Sequence, residues 1–259
     1  MYNYKECIDF WDKGNKEKLL REFLWKFTYS SNRIENNNTH LRDVLAIFRS
    51  REIDSKSDIT EVTKKEIENH KYISHELEQS YLNSDFKMIS IELIKTMHAT
   101  LMHGCFSDKL VSNGEVPGTF KKGDYVVGLH DVGTAPEDVE KDLKSLLDEM
   151  SEICMTSSNA LKMVAYFHCW FETIHPFADG NGRVGRFLLN YLLLSKDLPP
   201  IILYETDRNR YYLTLEHFTD TQDIMPMADF LSEQAYKTWL KDYKYNNKDM
   251  KKLNVFLQD

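Results

Sequence analysis

The chain has 259 residues, enough for one compact unit with a substantial buried core. Its formal net charge of −8 argues against general electrostatic binding to nucleic acid or anionic membranes. The cysteines form no Cys-x-x-Cys pair and no His/Cys group has zinc spacing, so we expect a protein of a reducing compartment. The longest apolar run is too short to span a bilayer and the N-terminus lacks a signal-peptide pattern, which favours a soluble cytoplasmic protein.

A helix is predicted near the N-terminus, over about residues 17–36. One face of it follows spacings of three and four, with Leu20, Leu24, Phe27, Ser31 and Glu35. A glutamate in the last turn opposes the helix dipole. Either this carboxylate is simply solvated, or a cation from elsewhere in the fold neutralises it.

Helical periodicity continues through much of the chain. It predicts helices over residues 61–82, 88–103, 136–155, 208–219 and 227–243, and residues 51–58 are polar enough for an exposed connection. We interpret His98 and His103 as helix-surface or packing residues, because no metal-ligand spacing links them.

Residues 116–136 are the only stretch with clear strand and turn chemistry. Residues 125–128 and 132–135 can pair as a short hairpin across residues 129–131. From the residues alone, this is either an ordinary surface hairpin or a segment that contacts a ligand or a partner.

Two buried helices, predicted over residues 160–174 and 184–194, are joined by a tight loop. Pro176 ends the first helix, and Gly180, Asn181 and Gly182 give the loop its conformational freedom. Because the backbone amides of such a turn lead into a helix N-terminus, they form an anion-binding site.

The same joint carries charged and titratable side chains. Arg183 and Arg186 lie three apart, which places both guanidinium groups on one helix face, where a polyphosphate matches their geometry. Asp179 can ligate Mg²⁺, and His175 can accept a proton. The alternative interpretation is a capped joint between helices, with surface arginines and a core histidine.

Residues 175–186, HPFADGNGRVGR, resemble the signature of the Fic family, His-x-Phe-x-Asp/Glu-Gly-Asn-Gly-Arg-x-x-Arg, at every fixed position. The resemblance implies an all-α helical bundle with a short β-hairpin flap, which uses ATP and Mg²⁺ to transfer AMP to a hydroxyl side chain of a protein. The implied roles are a general base at His175, a metal ligand at Asp179, an anion hole at Gly180, Asn181 and Gly182, and phosphate clamps at Arg183 and Arg186. Doc-type kinases replace the Gly-Asn-Gly-Arg part, so this chain differs from them.

Residues 31–36, SNRIEN, resemble the inhibitory motif Ser/Thr-x-x-x-Glu-Gly/Asn of family members that carry an N-terminal inhibitory helix. The resemblance implies that Ser31, Glu35 and Asn36 belong to such a helix. It also implies that Glu35 reaches Arg186 and takes the place of the γ-phosphate of ATP.

Three further expectations follow from the resemblance. The flap, about residues 118–136, covers the nucleotide through Val126, Val127, Gly128 and Leu129 and receives a segment of an unidentified target protein by strand addition. Tyr211 and Tyr212 lie near the adenine. The chain divides into an N-terminal helical region (1–85), a catalytic core (86–235) and a C-terminal helix and tail (236–259).

A protein adenylyltransferase is therefore the function that the sequence favours. One rival is a hydrolase that removes AMP, with Glu35 positioning a water molecule. The other is a nucleotide-sensing interaction module without useful turnover. ATP and a target protein are the expected partners, nucleic acid and membranes are not, and the sequence leaves open whether the chain forms a homodimer.

Overall fold

The computed structural model describes residues 3–125 and 133–241 of the chain. Within these two ranges the regular elements are eleven α-helices and one 3₁₀ turn, Glu205–Asp207. In chain order the helices are α1 (Tyr4–Lys13), α2 (Lys16–Glu35), α3 (Leu41–Phe48), α4 (Glu61–Leu82), α5 (Ile91–Leu101), α6 (Asp108–Ser112), α7 (Val139–Glu152), α8 (Ala160–Ile174), α9 (Asn181–Leu194), α10 (Arg208–Thr221) and α11 (Met225–Trp239).

The all-α class predicted from the sequence holds for the described residues, which contain no strand. The predicted hairpin falls largely on residues 126–132, outside the described ranges. Tyr125 and residues 133–135 are the described part of its two expected strands, and none of them is in a strand. The hairpin therefore stays a prediction.

Several predicted helix boundaries were wrong by a few residues, and a side-chain cap accounts for one of them. The helix predicted from residue 88 begins at Ile91, since Ser90 Oγ accepts a hydrogen bond from the backbone N–H of Leu93 at 3.2 Å. The helix predicted over residues 136–155 is shorter, Val139–Glu152, and the last one begins at Met225. Helices α1, α3 and α6 were not predicted.

Helix α2 is capped at both ends by asparagine. The side chain of Asn15 accepts a hydrogen bond from the backbone N–H of Lys18 at 3.0 Å, and Asn36 leaves the helix in an extended conformation with φ −129°. The apolar face of α2 is buried, and the helix packs against α3, α4 and α9. The carboxylate of Glu35, in the last turn of α2, therefore lies close to α9.

Helices α8 and α9 form the centre of the fold. Helix α8 also packs against α7, α10 and α11, while α9 packs against α2 and α5. Twelve of the fourteen residues of α9 are buried, so polar residues at its N-terminus lie inside the protein. None of the described helices has the length and apolarity needed to cross a bilayer.

Candidate functional site

His175 ends α8 in a left-handed conformation, with φ 50° and ψ 63°. Its backbone N–H donates to Phe171 O at 3.0 Å, which closes the helix. Gly133, itself at φ 67°, lies against this residue: a Cβ at position 133 would be 2.8 Å from His175 Cβ. Only glycine fits at that point, because both the backbone angle and the space exclude a side chain.

The backbone on either side of His175 is hydrogen-bonded to residues that precede and follow the 126–132 segment. The N–H of Lys121 donates to Pro176 O at 3.0 Å, and the N–H of Thr134 donates to Ile174 O at 3.0 Å. The two carbonyls flank His175 along the chain. The described ends of the expected flap are therefore attached to the segment that carries the proposed base.

Asn181 fixes the shape of the loop between α8 and α9. Its Oδ1 accepts from the N–H of Phe177 at 2.9 Å, and its Nδ2 donates to Phe177 O at 2.8 Å. The side chain is fully buried. The side chain of Asn181 thus fixes the loop conformation through Phe177. As the first residue of α9, Asn181 can offer its backbone to a ligand.

Asp179 is the accessible carboxylate of this loop, with 49% of its side chain exposed. Its Oδ1 accepts from the N–H of Gly180 at 2.6 Å and lies 3.5 Å from Arg183 Nη2. Among the described residues no group of three or more His, Cys, Asp or Glu side chains could hold a metal ion. A single accessible carboxylate is the kind of ligand that Mg²⁺ binds together with waters and substrate phosphate oxygens.

His98 supports the loop from α5. Its Nδ1 accepts from the N–H of Gly118 at 2.8 Å, so the proton lies on Nε2, which donates to Asp179 O at 2.9 Å. Its ring stacks on Phe177 with a centroid distance of 3.7 Å. Burial lowers the pKa of His98 to about 4, so the ring stays neutral. His98 is thus a packing residue, one of the two interpretations of the sequence, and it also makes two hydrogen bonds.

Arg186 is fully buried and is held by α2. Its Nε donates to Ser31 Oγ at 3.1 Å, and its Nη2 donates to Ser31 O at 2.9 Å and to Glu35 Oε1 at 2.7 Å. Its Nη1 has no hydrogen-bond partner among the described residues. One face of this guanidinium is therefore satisfied by α2, and one donor is available to a ligand.

Glu35 is charged in this arrangement. Burial by itself would raise the pKa of its carboxyl, but the nearby charges of Arg186 and Arg183 outweigh burial and lower it. Its side chain is 31% exposed and lies against the start of α9. A Cβ on Gly182 would be 2.5 Å from Glu35 Oε1 and 2.8 Å from Arg186 Nη1, so glycine is needed there while the pair is formed.

Arg183 is held by α4 rather than by α2. Its Nη1 donates to Glu66 Oε1 at 2.7 Å, and both side chains are nearly buried. The Nε of Arg183 has no hydrogen-bond partner in the described part of the chain. The sequence analysis missed Glu66, because nothing in the local pattern of a long polar helix distinguishes it from its neighbours.

The two tyrosines expected near the adenine have different surroundings. Tyr211 is fully buried, and its hydroxyl is 2.8 Å from His168 Nε2. Tyr212 is 38% exposed, with the guanidinium of Arg208 5.4 Å from its ring centroid. The ring of Tyr211 is thus part of the core, while Tyr212 presents an accessible face, and contact of either ring with the adenine stays a prediction. Val126, Val127, Gly128 and Leu129 lie outside the described residues.

Glu172, on α8, is a buried carboxyl that the sequence analysis did not single out. Its Oε1 has no hydrogen-bond partner among the described residues and lies 3.9 Å from His168 Nε2. Burial raises the pKa of Glu172 to about 7, although the charge of Arg186 acts in the opposite direction. Burial also lowers the pKa of His168 to about 3. The region behind Arg186 thus has a neutral histidine and a carboxyl that titrates near neutral pH.

Comparison with known proteins identifies relatives of this chain. Residues 88–193 match the model of the family described as the Fic/DOC family. The chain is 26% identical over 218 residues to protein adenylyltransferase fic-1 of Caenorhabditis elegans, and 28% identical over 230 residues to protein adenylyltransferase Fic of Drosophila willistoni. These alignments cover 84% and 85% of this chain but 41% and 42% of the relatives, so the chain spans less than half of their length.

Solved structures share the fold. A Fic domain containing signaling protein from Bacteroides thetaiotaomicron superposes with a TM-score of 0.76 at 19% identity, covering 91% of this chain and 93% of that one. Residues 134–508 of Fic-1 from C. elegans superpose with a TM-score of 0.71 at 21% identity, covering 97% of this chain and 72% of that one. The fold of the described residues is therefore the all-α fold of these proteins.

The raised pKa of Glu172 predicts a pH-dependent loss of stability. Because the folded-state pKa is about 7 against 4.5 for the free group, the contribution of Glu172 to stability is fully present below pH 4.5 and is lost as the pH rises through 7. Glu172→Gln, which cannot ionise, should remove this loss. Relative to the parent, we expect the variant to gain up to about 3 kcal/mol of unfolding free energy between pH 5 and pH 8.

Urea denaturation at both pH values measures the difference. Glu216→Gln, an exposed change of the same charge on α10, is the control and should track the parent. The buried histidines contribute equally to all three proteins, so their effect cancels in the comparison. Parallel pH dependence of the parent and Glu172→Gln would contradict the assignment.

Proposed function

This chain belongs to the Fic/DOC family, and from that premise we propose that it is a protein adenylyltransferase. It transfers AMP from ATP to a hydroxyl side chain of a target protein and releases pyrophosphate. The observation that carries the proposal is the pair of buried arginines at the start of α9. Arg183 Nε and Arg186 Nη1 both lack a partner among the described residues, next to the loop that carries His175 and Asp179.

An anionic ligand suits this place for two reasons. Buried guanidinium donors without partners are costly, so a ligand that accepts hydrogen bonds is stabilised there. The first residues of α9 add backbone N–H groups that no helical carbonyl satisfies. A polyphosphate can use both sets of donors at once, and a single carboxylate cannot.

The proposed reaction needs positioning and neutralisation of charge more than covalent help. His175 accepts the proton of the target hydroxyl, whose oxygen forms a bond to the α-phosphorus of ATP. The bond between that phosphorus and the bridging oxygen breaks, and pyrophosphate leaves with the bonding electrons. Asp179 would hold Mg²⁺, which when bound neutralises phosphate charge. Arg183 and Arg186 hold the remaining phosphate oxygens.

We further propose that the described arrangement is autoinhibited. Glu35 occupies Arg186 through a charge-assisted hydrogen bond of 2.7 Å, so this arginine cannot at the same time hold a phosphate with the same donor. ATP must displace the carboxylate to reach that donor. Helix α2 therefore acts as an inhibitory helix within the chain.

A second candidate function uses the same residues in reverse. Glu35 is partly exposed and lies against Gly182, so a carboxylate stands beside the proposed phosphate site and can orient a water molecule. The protein would then hydrolyse AMP from a modified hydroxyl. A nucleotide-sensing module is the third possibility, in which ATP binds without turnover.

One experiment separates these functions. The protein is incubated with Mg²⁺ and labelled ATP, CTP, GTP or UTP, alone and with lysate, and the products are examined by mass spectrometry. An AMP adduct on the protein itself or on a lysate protein supports the transferase and shows which nucleotide and which residue type it uses. Release of AMP from a modified protein without formation of adducts supports the hydrolase, and binding alone supports the module.

His175→Ala should abolish transfer and leave ATP binding almost unchanged. Loss of a general base commonly costs about 10²–10⁴ in rate, whereas the phosphate contacts do not involve this side chain. Rates of self-modification and ATP dissociation constants measure the two effects. His75→Ala, a change at a largely exposed histidine of α4, should behave like the parent. Equal rates for His175→Ala and the parent would contradict the assigned role.

Asp179→Ala, in contrast, should weaken ATP binding in the presence of Mg²⁺. Because this carboxylate is the proposed protein ligand of Mg²⁺, the variant should lose most of the stimulation of ATP binding by Mg²⁺ and bind metal-free ATP no worse than the parent. Titrations with ATP in Mg²⁺ and in EDTA test this. A variant that retains the full Mg²⁺ effect would remove Asp179 from the metal site.

Glu35→Gly should activate transfer, and adding Arg186→Ala should cancel the gain. A charge-assisted pair is worth about 1.5–3 kcal/mol, so we expect activation of about tenfold to a hundredfold. Glu35→Gln keeps the size of the side chain but not its charge, and should give a smaller gain. Rates of self-modification are compared for all four proteins. No change in Glu35→Gly would mean that α2 does not control the site.

A further inference from the structure

Glu66 of α4 uses its two carboxylate oxygens on two different elements. Its Oε1 accepts from Arg183 Nη1 of α9 at 2.7 Å, and its Oε2 accepts from Asn36 Nδ2 at 2.8 Å. Asn36 is the residue at which α2 ends, and its Nδ2 also lies 3.0 Å from Thr63 Oγ1. A chain of hydrogen bonds therefore leads from the end of α2 through α4 to the first arginine of α9.

These hydrogen bonds fix the position of the Arg183 guanidinium, which also lies near the carboxylate of Asp179. Arg183 Nη2 is 3.5 Å from Asp179 Oδ1, longer than a good charge-assisted hydrogen bond. Glu66 holds the opposite nitrogen, Nη1, at 2.7 Å. While Glu66 keeps its hold, Arg183 does not close onto Asp179. The aspartate then stays accessible, and Arg183 Nε stays available to a ligand.

We propose that Glu66 is a positioning residue for the nucleotide site and that Asn36 fixes its carboxylate. Glu66 holds the guanidinium of Arg183 in the orientation that receives phosphate and keeps it away from Asp179. The inference rests on the proposed function, because it assumes that ATP binds between Arg183 and Asp179. It assigns Glu66 the reverse of the role of Glu35: Glu35 competes with the nucleotide, whereas Glu66 prepares the site for it.

Glutamine at position 66 is the informative substitution. Its side chain has the size of glutamate but offers one acceptor and one donor, while Arg183 and Asn36 both present donors. Glutamine can therefore satisfy only one of them, and it no longer balances the charge of Arg183. Arg183 should then pair with Asp179, which withdraws that carboxylate from Mg²⁺.

The test uses the Glu35→Gly protein as reference, so that inhibition does not hide the effect. In this background, Glu66→Gln should raise both the KM for ATP and the Mg²⁺ concentration at half-maximal ATP binding, each by about tenfold, the worth of one charge-assisted hydrogen bond. Glu76→Gln, an exposed change of the same charge on α4, should leave both values unchanged. A role limited to folding would lower the amount of active protein without moving either midpoint.

Asn36→Ala tests the second half of the proposal. It removes the donor to Glu66 and leaves the carboxylate in place, so both midpoints should rise by a smaller factor, about threefold, as expected for a neutral donor. Combined with Glu66→Gln it should add little, since the two residues act through one contact. If Glu66→Gln does not fold, Asn36→Ala alone decides.

Unchanged KM and Mg²⁺ midpoints in Glu66→Gln or, if that variant does not fold, in Asn36→Ala would overturn the inference. A rise in kcat/KM would also overturn it, because Glu66 would then be a second inhibitory carboxylate. Failure of the proposed function gives a different result. If the Glu35→Gly reference binds ATP but transfers no AMP, the transferase proposal fails, and the ATP-binding titrations still test the role of Glu66.

Discussion

The buried guanidinium of Arg186 is the constraint on which the arrangement of the N-terminal helices depends. A charge in the interior is tolerated only when it is paired and hydrogen-bonded, and removing one partner of such a pair costs about 3–5 kcal/mol. Ser31 and Glu35 supply three of its hydrogen bonds from the last turns of α2. Helix α2 must therefore lie across the start of α9, and Gly182 must lack a side chain at the point of contact.

Burial, reinforced by the charge of Arg186, explains the neutral state of the histidines near the arginines. His70 and His168 are buried, and burial followed by the charge of Arg186 lowers the pKa of each to about 3. Each therefore serves as a neutral hydrogen-bonding group, His70 with Thr28 at 2.9 Å and His168 with Tyr211 at 2.8 Å. A protonated imidazole in either place would add a second buried positive charge beside Arg186.

Local sequence predicted the elements with strong periodicity. The helices over residues 61–82 and 160–174 have the predicted bounds, and the contact expected between Glu35 and Arg186 is present, while its inhibitory role stays a proposal. Helices α1, α3 and α6 were missed because they are short. Helix α1, for example, buries few side chains in a polar sequence. Periodicity over ten residues or fewer is a weak signal.

The missed features of the site depend on contacts across the fold. Glu66 and Arg183 are 117 positions apart, so no local pattern relates them. Tyr211 and Tyr212 are neighbours in the sequence, yet one is buried and the other exposed, and only the packing of α10 on α8 decides which. Asn181 is expected in the anion hole, but its side-chain amide donates to Phe177 O within the loop, a contact that the residue type does not reveal. A residue type shows what a side chain can do, and tertiary contacts show where that capacity is used.

The two arginines together limit how the proposed inhibition could be relieved. Glu35 and Asn36 are adjacent at the end of α2, and one contacts Arg186 while the other contacts Glu66, the partner of Arg183. Withdrawal of the whole helix end would release Arg186 from Glu35 but would also loosen the contact that positions Arg183. Rotation of the Glu35 side chain alone frees Arg186 and leaves Arg183 in place. Because Glu35 is partly exposed, and the side chain of Asn36 is held on α4 by Thr63 Oγ1 at 3.0 Å and Glu66 Oε2 at 2.8 Å, the geometry favours rotation. The carboxylate that we propose blocks the site could then leave without disturbing the carboxylate that we propose prepares it.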